Sequence, residues 1–440
     1  MTGKVVGLLV AAAALHGAAT IGALLTVPQR DPTADPLTPA SADVSANGRH
    51  VAFESKVRLV PADTNDRRDI YVLDLDTRLV TLESNQPGAW IDDARPRLSA
   101  DGRFLVYEST PAVPDGGSFN TQIVWCDRVT GVRRVLTAGH DGAAANGPSR
   151  TPDLSDDGQV VVFVSTATNL VAGADANGRG DDIYAVDLRA GTSRVSVDSA
   201  GVQSASGISI TPSISGDGRW VAFASSAPLV AAQRPGAATP ERTGRRQIFA
   251  RDLQAGRTVR VSDSEEGVSA DGTSWSPAVN RDGRFVAFVS EARNLGGGSR
   301  NRAADVFLSD RTSGRVTLVS RAASGGEASG SSAAPSISAD GRFVAFQSDA
   351  ANLVCERRCT PAQEDINLLW DVFVFDATNG TMSRQSEDAA GGWMEASRGP
   401  SIDSSGTVLA FASRHPIDML DRGDDYDLFV SDGRNRGGQH

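Results

Sequence analysis

Residues 335–348 read Pro-Ser-Ile-Ser-Ala-Asp-Gly-Arg-Phe-Val-Ala-Phe-Gln-Ser, two short apolar segments joined at Asp340-Gly341. Apolar residues alternate with small or polar ones on both sides of that dipeptide, and Asp-Gly favours a tight turn with positive φ. The stretch therefore predicts a β-hairpin. A third segment, Asp371 to Asp376, and a fourth, Thr381 to Ser386, follow it and are separated by Thr378-Asn379-Gly380.

The same unit occurs seven times along the chain. Its hairpin glycines are Gly48, Gly102, Gly158, Gly218, Gly283, Gly341 and Gly406. They stand 54 to 65 residues apart, so the repeats use nearly all of the 440 residues. Four short strand signals per unit are typical of small antiparallel sheets arranged around an axis. The sequence predicts an all-β chain: one seven-bladed β-propeller over residues 20–440, with four-stranded antiparallel blades whose strands we call A to D.

Two polar residues recur at the ends of strands. An aspartate closes every C strand, and we interpret these aspartates as turn residues. They are Asp74, Asp127, Asp187, Asp252, Asp310, Asp376 and Asp432. A serine closes every B strand, and we expect these serines to form hydrogen bonds at strand ends instead of acting as nucleophiles. They are Ser55, Ser109, Ser165, Ser225, Ser290, Ser348 and Ser413.

The N-terminus resembles a secretory signal. Met1 to Lys4 precede an apolar run that begins at Val5, and Gly17 and Ala19 allow cleavage after residue 19. The apolar stretch continues to Val27, so an uncleaved membrane anchor to about residue 27 is the alternative. Because the last repeat has no fourth strand after Asp432, we predict that Ile21 to Val27 supplies it and closes the ring. That prediction requires export and cleavage before the segment.

The net charge limits the classes of partner that are expected, and the cysteines are interpreted in the light of the expected export. The formal net charge is −11, and a nucleic-acid partner is not expected because phosphate binding needs a concentrated basic surface. Cys355 and Cys359 lie in one long loop, where a small disulfide is the first interpretation for an exported protein and a metal site the second. Cys126 lies in a C strand and is expected to be buried and reduced.

The two faces of the predicted ring differ in loop length. A–B and C–D turns are tight, whereas the B–C connections are long, and long loops on a rigid ring often form binding surfaces. The predicted binding residues on this long-loop face are Trp90, Trp275, Trp370, Trp393, Arg242, Arg245 and Arg246. Exposed aromatic residues suit a protein or a sugar partner, and the alternative is that they wedge between blades.

Two acidic segments resemble oxygen-rich cation loops. Each has oxygen-bearing side chains at its first, third and seventh places, which Ca²⁺ favours, but Asp-Asn-Gly clusters also mark plain turns. The predicted ligands are Asp63, Asn65 and Asp69 in one loop and Asp175, Asn177 and Asp181 in the other.

No arrangement for catalysis emerges from the motifs. The chain has no Gly-x-Ser-x-Gly elbow and no His-Glu-x-x-His metal motif. Glycoside chemistry needs two carboxylates, and Asp43, Asp153 and Asp403 in the innermost strands are the candidates. The equivalent positions hold Arg97, Ser213, Ala278 and Ser336, so no consistent acidic ring is predicted. We expect a protein that is not an enzyme.

The repeat resembles the WD40-like (PD40) repeat of TolB-like propellers. The similarity is clearest over 335–348, 212–225 and 305–314, and it extends over essentially all of the chain after residue 19. In that family such propellers are binding platforms in the bacterial envelope or gating domains attached to peptidases. The resemblance implies an exported scaffold, periplasmic or extracellular, that binds another protein. The alternative is a carbohydrate-binding or carbohydrate-active propeller that uses its central channel.

Overall fold

The computed structural model describes residues 41–65, 67–84, 91–111, 120–230, 244–296, 303–354, 369–386, 396–414 and 427–433. These residues form 27 β-strands in seven antiparallel sheets. Each sheet is one repeat of the sequence, and consecutive strands are neighbours in it. The prediction of a seven-bladed all-β propeller is therefore confirmed. No helix long and apolar enough to cross a membrane occurs among the described residues.

The first six blades have four strands each. Blade 1 contains β1 (Ala42–Val44), β2 (His50–Ser55), β3 (Asp69–Asp74) and β4 (Leu79–Leu82). Blade 2 contains β5 (Ile91–Leu98), β6 (Phe104–Pro111), β7 (Gln122–Asp127) and β8 (Val132–Val135). Blade 3 contains β9 (Ser149–Leu154), β10 (Val160–Ser165), β11 (Asp182–Asp187) and β12 (Gly191–Arg194).

The second half of the ring repeats this pattern. Blade 4 contains β13 (Ser209–Ile214), β14 (Trp220–Ser225), β15 (Gln247–Asp252) and β16 (Arg257–Arg260). Blade 5 contains β17 (Ser274–Val279), β18 (Phe285–Ser290), β19 (Asp305–Asp310) and β20 (Arg315–Leu318). Blade 6 contains β21 (Ser332–Ile337), β22 (Phe343–Ser348), β23 (Asp371–Asp376) and β24 (Thr381–Arg384).

Blade 7 has three strands in the described part of the chain: β25 (Ser397–Ile402), β26 (Val408–Ser413) and β27 (Asp427–Asp432). All six residues of β27 are buried, although no described strand pairs with its outer edge. The predicted closing strand, Ile21 to Val27, lies outside the described residues, as do the predicted signal segment and the pair Cys355 and Cys359.

The core lies between blades. One apolar cluster joins Val51 and Phe53 of blade 1 to Val408 and Val430 of blade 7, so the first and last blades pack together. Each blade also contains a stacked aromatic pair across strands B and C, with ring centroids 5.2 to 6.0 Å apart. Cys126 is buried and free, as expected, and burial raises the pKa of its thiol.

The A–B turns form a closed ring of backbone hydrogen bonds. In every turn an amide donates to a carbonyl of the neighbouring turn, at 2.9 to 3.3 Å. The seven bonds run from Asn47 to Ala100, Ala100 to Asp156, Asp156 to Gly216, Asp217 to Arg281, Arg281 to Ala339, Ala339 to Ser404, and Ser404 to Ala46. Backbone hydrogen bonds therefore join all seven turns at this face.

The turn glycines have two structural roles. Gly283 has φ of +74°, which L side chains rarely adopt, and a Cβ added there would lie 2.3 Å from Cδ1 of Trp220 in the preceding blade. Phe104, Phe285 and Phe343 cover the turn glycines of blades 3, 6 and 7 in the same way. The sequence indicated the turn but not this contact between blades.

The aspartates and serines at strand ends have the predicted structural roles. Oδ1 of Asp74 accepts the amides of Asp76 and Thr77, which holds the C–D turn. Ser165 shares a hydrogen bond of 2.9 Å with Ser149, the first residue of its neighbouring A strand. The equivalent serine pairs occur in blades 4, 5, 6 and 7.

We predict that Gly283→Ala destabilises the protein more than Gly314→Ala does. Both glycines have φ of +74°, but nothing lies within 4 Å of a Cβ added at Gly314. Gly314→Ala should lower the free energy of unfolding by about 1 kcal/mol, from backbone strain alone. Gly283→Ala should cost roughly 2 kcal/mol more, because Trp220 must move. Urea unfolding measures both values, and equal costs would show that the contact between blades contributes nothing.

Candidate functional site

The principal cavity is the central channel, with a volume of about 580 Å³. The A strands of all seven blades line it. One end is bordered by the A–B turns, and the other opens on the long-loop face. This channel contains Asp43, Arg97 and Asp153, the charged residues that the sequence placed in innermost strands.

Seven equivalent positions form the middle layer of the channel wall. Each faces the third residue of its own B strand, as in the pairs Asp43 with Ala52, Asp153 with Val162 and Ser401 with Ala410. In blade order the layer consists of Asp43, Arg97, Asp153, Ser213, Ala278, Ser336 and Ser401. The charges are therefore confined to blades 1, 2 and 3.

The middle layer connects blades 1, 3, 4, 6 and 7 to the blade that follows each of them. Asp43 accepts the amide of Leu98 at 2.8 Å, and Asp153 accepts the amide of Ile214 at 2.9 Å. Serines make the equivalent bond elsewhere: Ser213 to Val279, Ser336 to Ile402 and Ser401 to Val44, at 3.0 to 3.2 Å. Asp43 and Asp153 thus have the structural role that a serine hydroxyl has in three other blades.

The prediction that Asp403 belongs to this layer was wrong. Asp403 follows β25 and lies in the A–B turn, where its Oδ1 accepts the amides of Thr407 at 2.7 Å and Val408 at 2.9 Å. In blade 1 the equivalent residue is Ser45, whose hydroxyl accepts the amide of His50. Because blade 7 has an aspartate where other turns have serine or asparagine, the sequence suggested a channel acid that the fold does not provide.

Burial shifts the titration of the channel carboxyls. It raises the pKa of Asp153 to about 6, against the opposing effects of Arg97 and of the hydrogen bond from Ile214. Burial also raises the pKa of Asp43, opposed chiefly by Arg97. Glu54 has a raised pKa for the same reason, opposed chiefly by Arg68.

Two ion pairs border the channel toward the long-loop face. Arg68 lies 3.7 Å from Glu54, and Arg95 lies 3.1 Å from Glu108. The arginine side chains are 33% and 40% exposed, whereas both glutamates are only 12% exposed. We call these four residues the charged rim. The sequence analysis missed them, although a glutamate directly before the last serine of strand B occurs only in blades 1 and 2.

A β-bulge shapes the A strands of blades 2 to 7 at this level. Arg95 has φ of 52° directly before Pro96, and Thr151, Thr211, Ser276 and Ala334 precede prolines with φ of 47° to 51°. These conformations are strained for residues other than glycine. Glu54 accepts the amide of Arg95 at 2.7 Å, and Glu108 accepts the amide of Thr151 at 2.6 Å. The rim glutamates therefore hold the bulges of the following blades.

The placement of Trp275 differs from the prediction. It lies in β17, not in a D–A connection, because the bulge lets the strand continue before Pro277. Its side chain is partly buried and packs against the apolar clusters on both sides of blade 5. Trp370 lies directly before β23, on the long-loop face, and its carbonyl accepts the amide of Ser397 at 2.6 Å.

Some of the other predicted binding residues lie within the described ranges, and some lie outside them. Arg245 and Arg246 lie just before β15, on the long-loop face. Trp90, Trp393 and Arg242 lie outside the described residues. The binding role of the whole set stays a prediction.

Protein donors occupy the first predicted calcium loop. Oδ2 of Asp63 accepts the hydroxyl of Tyr71 at 2.6 Å, and its Oδ1 accepts the amide of Asn65 at 3.0 Å. Asp69 accepts hydrogen bonds from Asn65 and Ser84.

The second loop has a similar internal network. Nε2 of Gln203 donates to Asp175 at 2.8 Å and to Asp182 at 2.7 Å. The same nitrogen lies 2.9 Å from Oδ1 of Asn177. Asp181 forms an ion pair with Arg150 at 2.6 Å. No group of three or more His, Cys, Asp or Glu side chains converges in the described part of the chain. Calcium binding stays a prediction.

No protein-family model and no curated protein matches the chain. Among solved structures it is similar to TolB from Acinetobacter baumannii, with 18% identity and a TM-score of 0.42 over 81% of this chain and 67% of that one. An oligogalacturonate lyase from Vibrio parahaemolyticus has 12% identity and a TM-score of 0.52, over 93% and 96% of the two chains. The β-propeller domain of the Trilobed protease from Pyrococcus furiosus has 12% identity and a TM-score of 0.51, over 90% and 94%. The chain shares their fold.

Similarity at this level of identity concerns fold alone. The expectation of a TolB-like propeller is therefore confirmed for the fold. The similar structures include both a lyase and a protease domain, so the comparison separates no function from another.

We predict that Asp153→Asn reduces the dependence of stability on pH. The folded protein holds a proton on Asp153 up to about pH 6, whereas the unfolded chain releases it near pH 4. Stability should therefore fall as the pH rises through that window, by up to about 3 kcal/mol. Asparagine removes the titration and still offers an oxygen to the Ile214 amide.

Urea unfolding at pH 4 and pH 7 measures this effect. Asp340→Asn, in an exposed A–B turn, is the matched control and should keep the dependence of the parent. If Asp153→Asn and the parent lost the same stability between the two pH values, the burial of an ionised Asp153 would not be a cost to the fold.

Proposed function

We propose that this chain is a non-enzymatic propeller that binds another protein at the long-loop end of its central channel. The observation that carries the proposal is the charged rim. Arg68 and Arg95 are partly exposed there, on residues anchored by buried glutamates. A rigid surface of this kind loses little conformational entropy on binding, and arginine is enriched at protein interfaces.

The state of the channel carboxylates supports a binding role over catalysis. Asp43 and Asp153 accept backbone amides of neighbouring blades. Glycoside cleavage needs one carboxyl that donates a proton and a second that acts as base or nucleophile. Groups fixed as acceptors between blades are poorly placed for either role.

Among the described residues, no histidine lines the channel. His50 packs against Gly102 at the A–B turn face, and the Nε2 atom of its ring lies 3.8 Å from Asp74. His140 hydrogen-bonds to the carbonyl of Asn169 in a loop. Neither residue lines the channel.

Trp370 supports the choice of face. It lies on the long-loop side, beside Leu369, whose side chain is exposed. Tryptophan and arginine are among the residue types enriched at interaction hot spots, and Trp370 lies on the same face of the ring as the charged rim. The alternative partner is a carbohydrate, which would also stack on an exposed aromatic ring.

The proposal includes export from the cytoplasm. It depends on the signal-like segment at residues 1–19, which lies outside the described residues. A partner in the cell envelope or outside the cell is therefore expected.

Site-specific photo-crosslinking tests the proposal. A photo-reactive amino acid at Arg68 or Trp370 should crosslink to one protein of the envelope or secreted fraction, and the same residue at Arg342, on the A–B turn face, should not. The purified partner should then bind the parent chain and bind Arg68→Ala with Trp370→Ala about tenfold or more weakly. Equal crosslinking at both faces, or unchanged affinity of the double variant, would contradict the proposal. Recovery of glycan without protein would favour the carbohydrate alternative.

A further inference from the structure

Among the described residues, nine charged side chains line the central channel. The carboxylates are Asp43, Glu54, Glu108, Asp153 and Asp156, and the arginines are Arg68, Arg95, Arg97 and Arg281. Their charges nearly cancel, which leaves an excess of one carboxylate in the lining. The question is which of these groups have no protein partner for their charge.

Three of the four channel arginines form ion pairs. Arg68 and Arg95 pair with the rim glutamates, and Nε of Arg281 lies 2.8 Å from Asp156 at the A–B turn end of the channel. Arg97 is the exception: within the described residues no carboxylate oxygen lies within 4.0 Å of its guanidinium. Its one side-chain hydrogen bond runs from Nη1 to the carbonyl of Pro96, at 3.0 Å.

The geometry of the middle layer explains why Arg97 stays unpaired. Asp43 and Asp153 flank it on the two neighbouring A strands, but each carboxylate is turned to a backbone amide. Leu98 donates to Asp43, and Ile214 donates to Asp153. Arg97 is half-buried and lines the channel, so its remaining N–H donors are available to a group in the lumen.

Two hydroxyls lie at the same level of the channel on other blades. Oγ of Ser213 accepts the amide of Val279, and Oγ of Ser336 accepts the amide of Ile402, both at 3.2 Å. Each hydroxyl therefore has its own proton to donate, and no described group accepts it. Ala278 separates them and leaves space in the wall.

We propose that Arg97 binds a carboxylate group that enters the central channel, with Ser213 and Ser336 as further hydrogen-bond donors. A planar guanidinium and a carboxylate form paired, charge-assisted hydrogen bonds, and the partly dehydrated channel strengthens them. The carboxylate belongs either to a small organic acid or to the C-terminus of a polypeptide. The site lies in the same channel as the charged rim but uses other residues, so it can be tested separately from the proposed protein-binding function.

The carboxylates around Arg97 predict how its affinity varies with pH. Asp43 on β1 and Asp153 on β9 are nearest along the wall, and Glu54, Glu108 and Asp156 line the channel beyond them. Asp153 has a pKa of about 6, and burial raises the pKa of Asp43 and Glu54. Protonation of Asp153 removes repulsion of an anion, so affinity should rise as the pH falls from about 7.5 to about 5.5.

Calorimetric titration of the full chain tests this site. One probe pair is succinate and its neutral analogue succinamide, and the second is acetyl-trialanine as the free acid and as the amide. At least one acid should bind about tenfold or more tightly than its amide. Preference for succinate would indicate a small-molecule ligand, and preference for the peptide acid a polypeptide C-terminus.

Variants assign the binding to Arg97. Arg97→Gln should weaken the preferred acid about tenfold or more, and Arg97→Lys should weaken it less because the charge remains. Arg103→Gln, which removes an exposed arginine outside the channel, is the matched control and should bind as the parent does. Thermal melting checks that each variant is folded.

Three results would overturn the proposal. They are equal binding of acid and amide, parent-like affinity in folded Arg97→Gln, and a fall in affinity on acidification. None of them would bear on crosslinking at Arg68 or Trp370, so failure at the channel site is distinguishable from failure of the proposed function.

Discussion

The closed ring of backbone hydrogen bonds between the A–B turns is the constraint on which the rest of the structure depends. Each of the seven turns must present an amide and a carbonyl at the same level along the channel axis, so each turn needs the same compact shape. That shape requires a glycine with positive φ, and it brings the turn close to a large side chain of the preceding blade in most of the ring. The same glycine therefore gives the turn its shape, allows the close contact between blades and allows the turns to join in a ring.

A second set of bonds operates one layer further along the channel. Aspartates in blades 1 and 3 and serines in blades 4, 6 and 7 accept an amide from the next blade. A serine makes this bond without burying a charge, whereas Asp153 has a pKa of about 6 as a consequence of burial. The aspartates therefore cost stability that serines would not, and they place charge beside Arg97. The charged residues of the middle layer therefore lie on blades 1, 2 and 3, whereas its residues on the other blades are uncharged.

The sequence was sufficient for the repeat number, the strand order and the roles of the recurring aspartates and serines, because these follow from local patterns. It failed where the answer depends on contacts between repeats. Asp403 was misplaced because its turn has an aspartate where others have serine or asparagine. Trp275 was misplaced because a bulge before Pro277 extends the strand. Glu54 and Glu108 were missed because their partners are bulge amides of the following blade.

Native-state hydrogen exchange of the turn amides tests the closed ring most directly. The amides are those of Asn47, Ala100, Asp156, Asp217, Arg281, Ala339 and Ser404. If the turn bonds close the ring as one cooperative unit, all seven amides should exchange with the opening free energy of global unfolding. Faster exchange at Ser404 than at the other six would contradict this account, because the Ser404 amide donates to Ala46 and its exposure would show that the ring opens locally between blades 7 and 1.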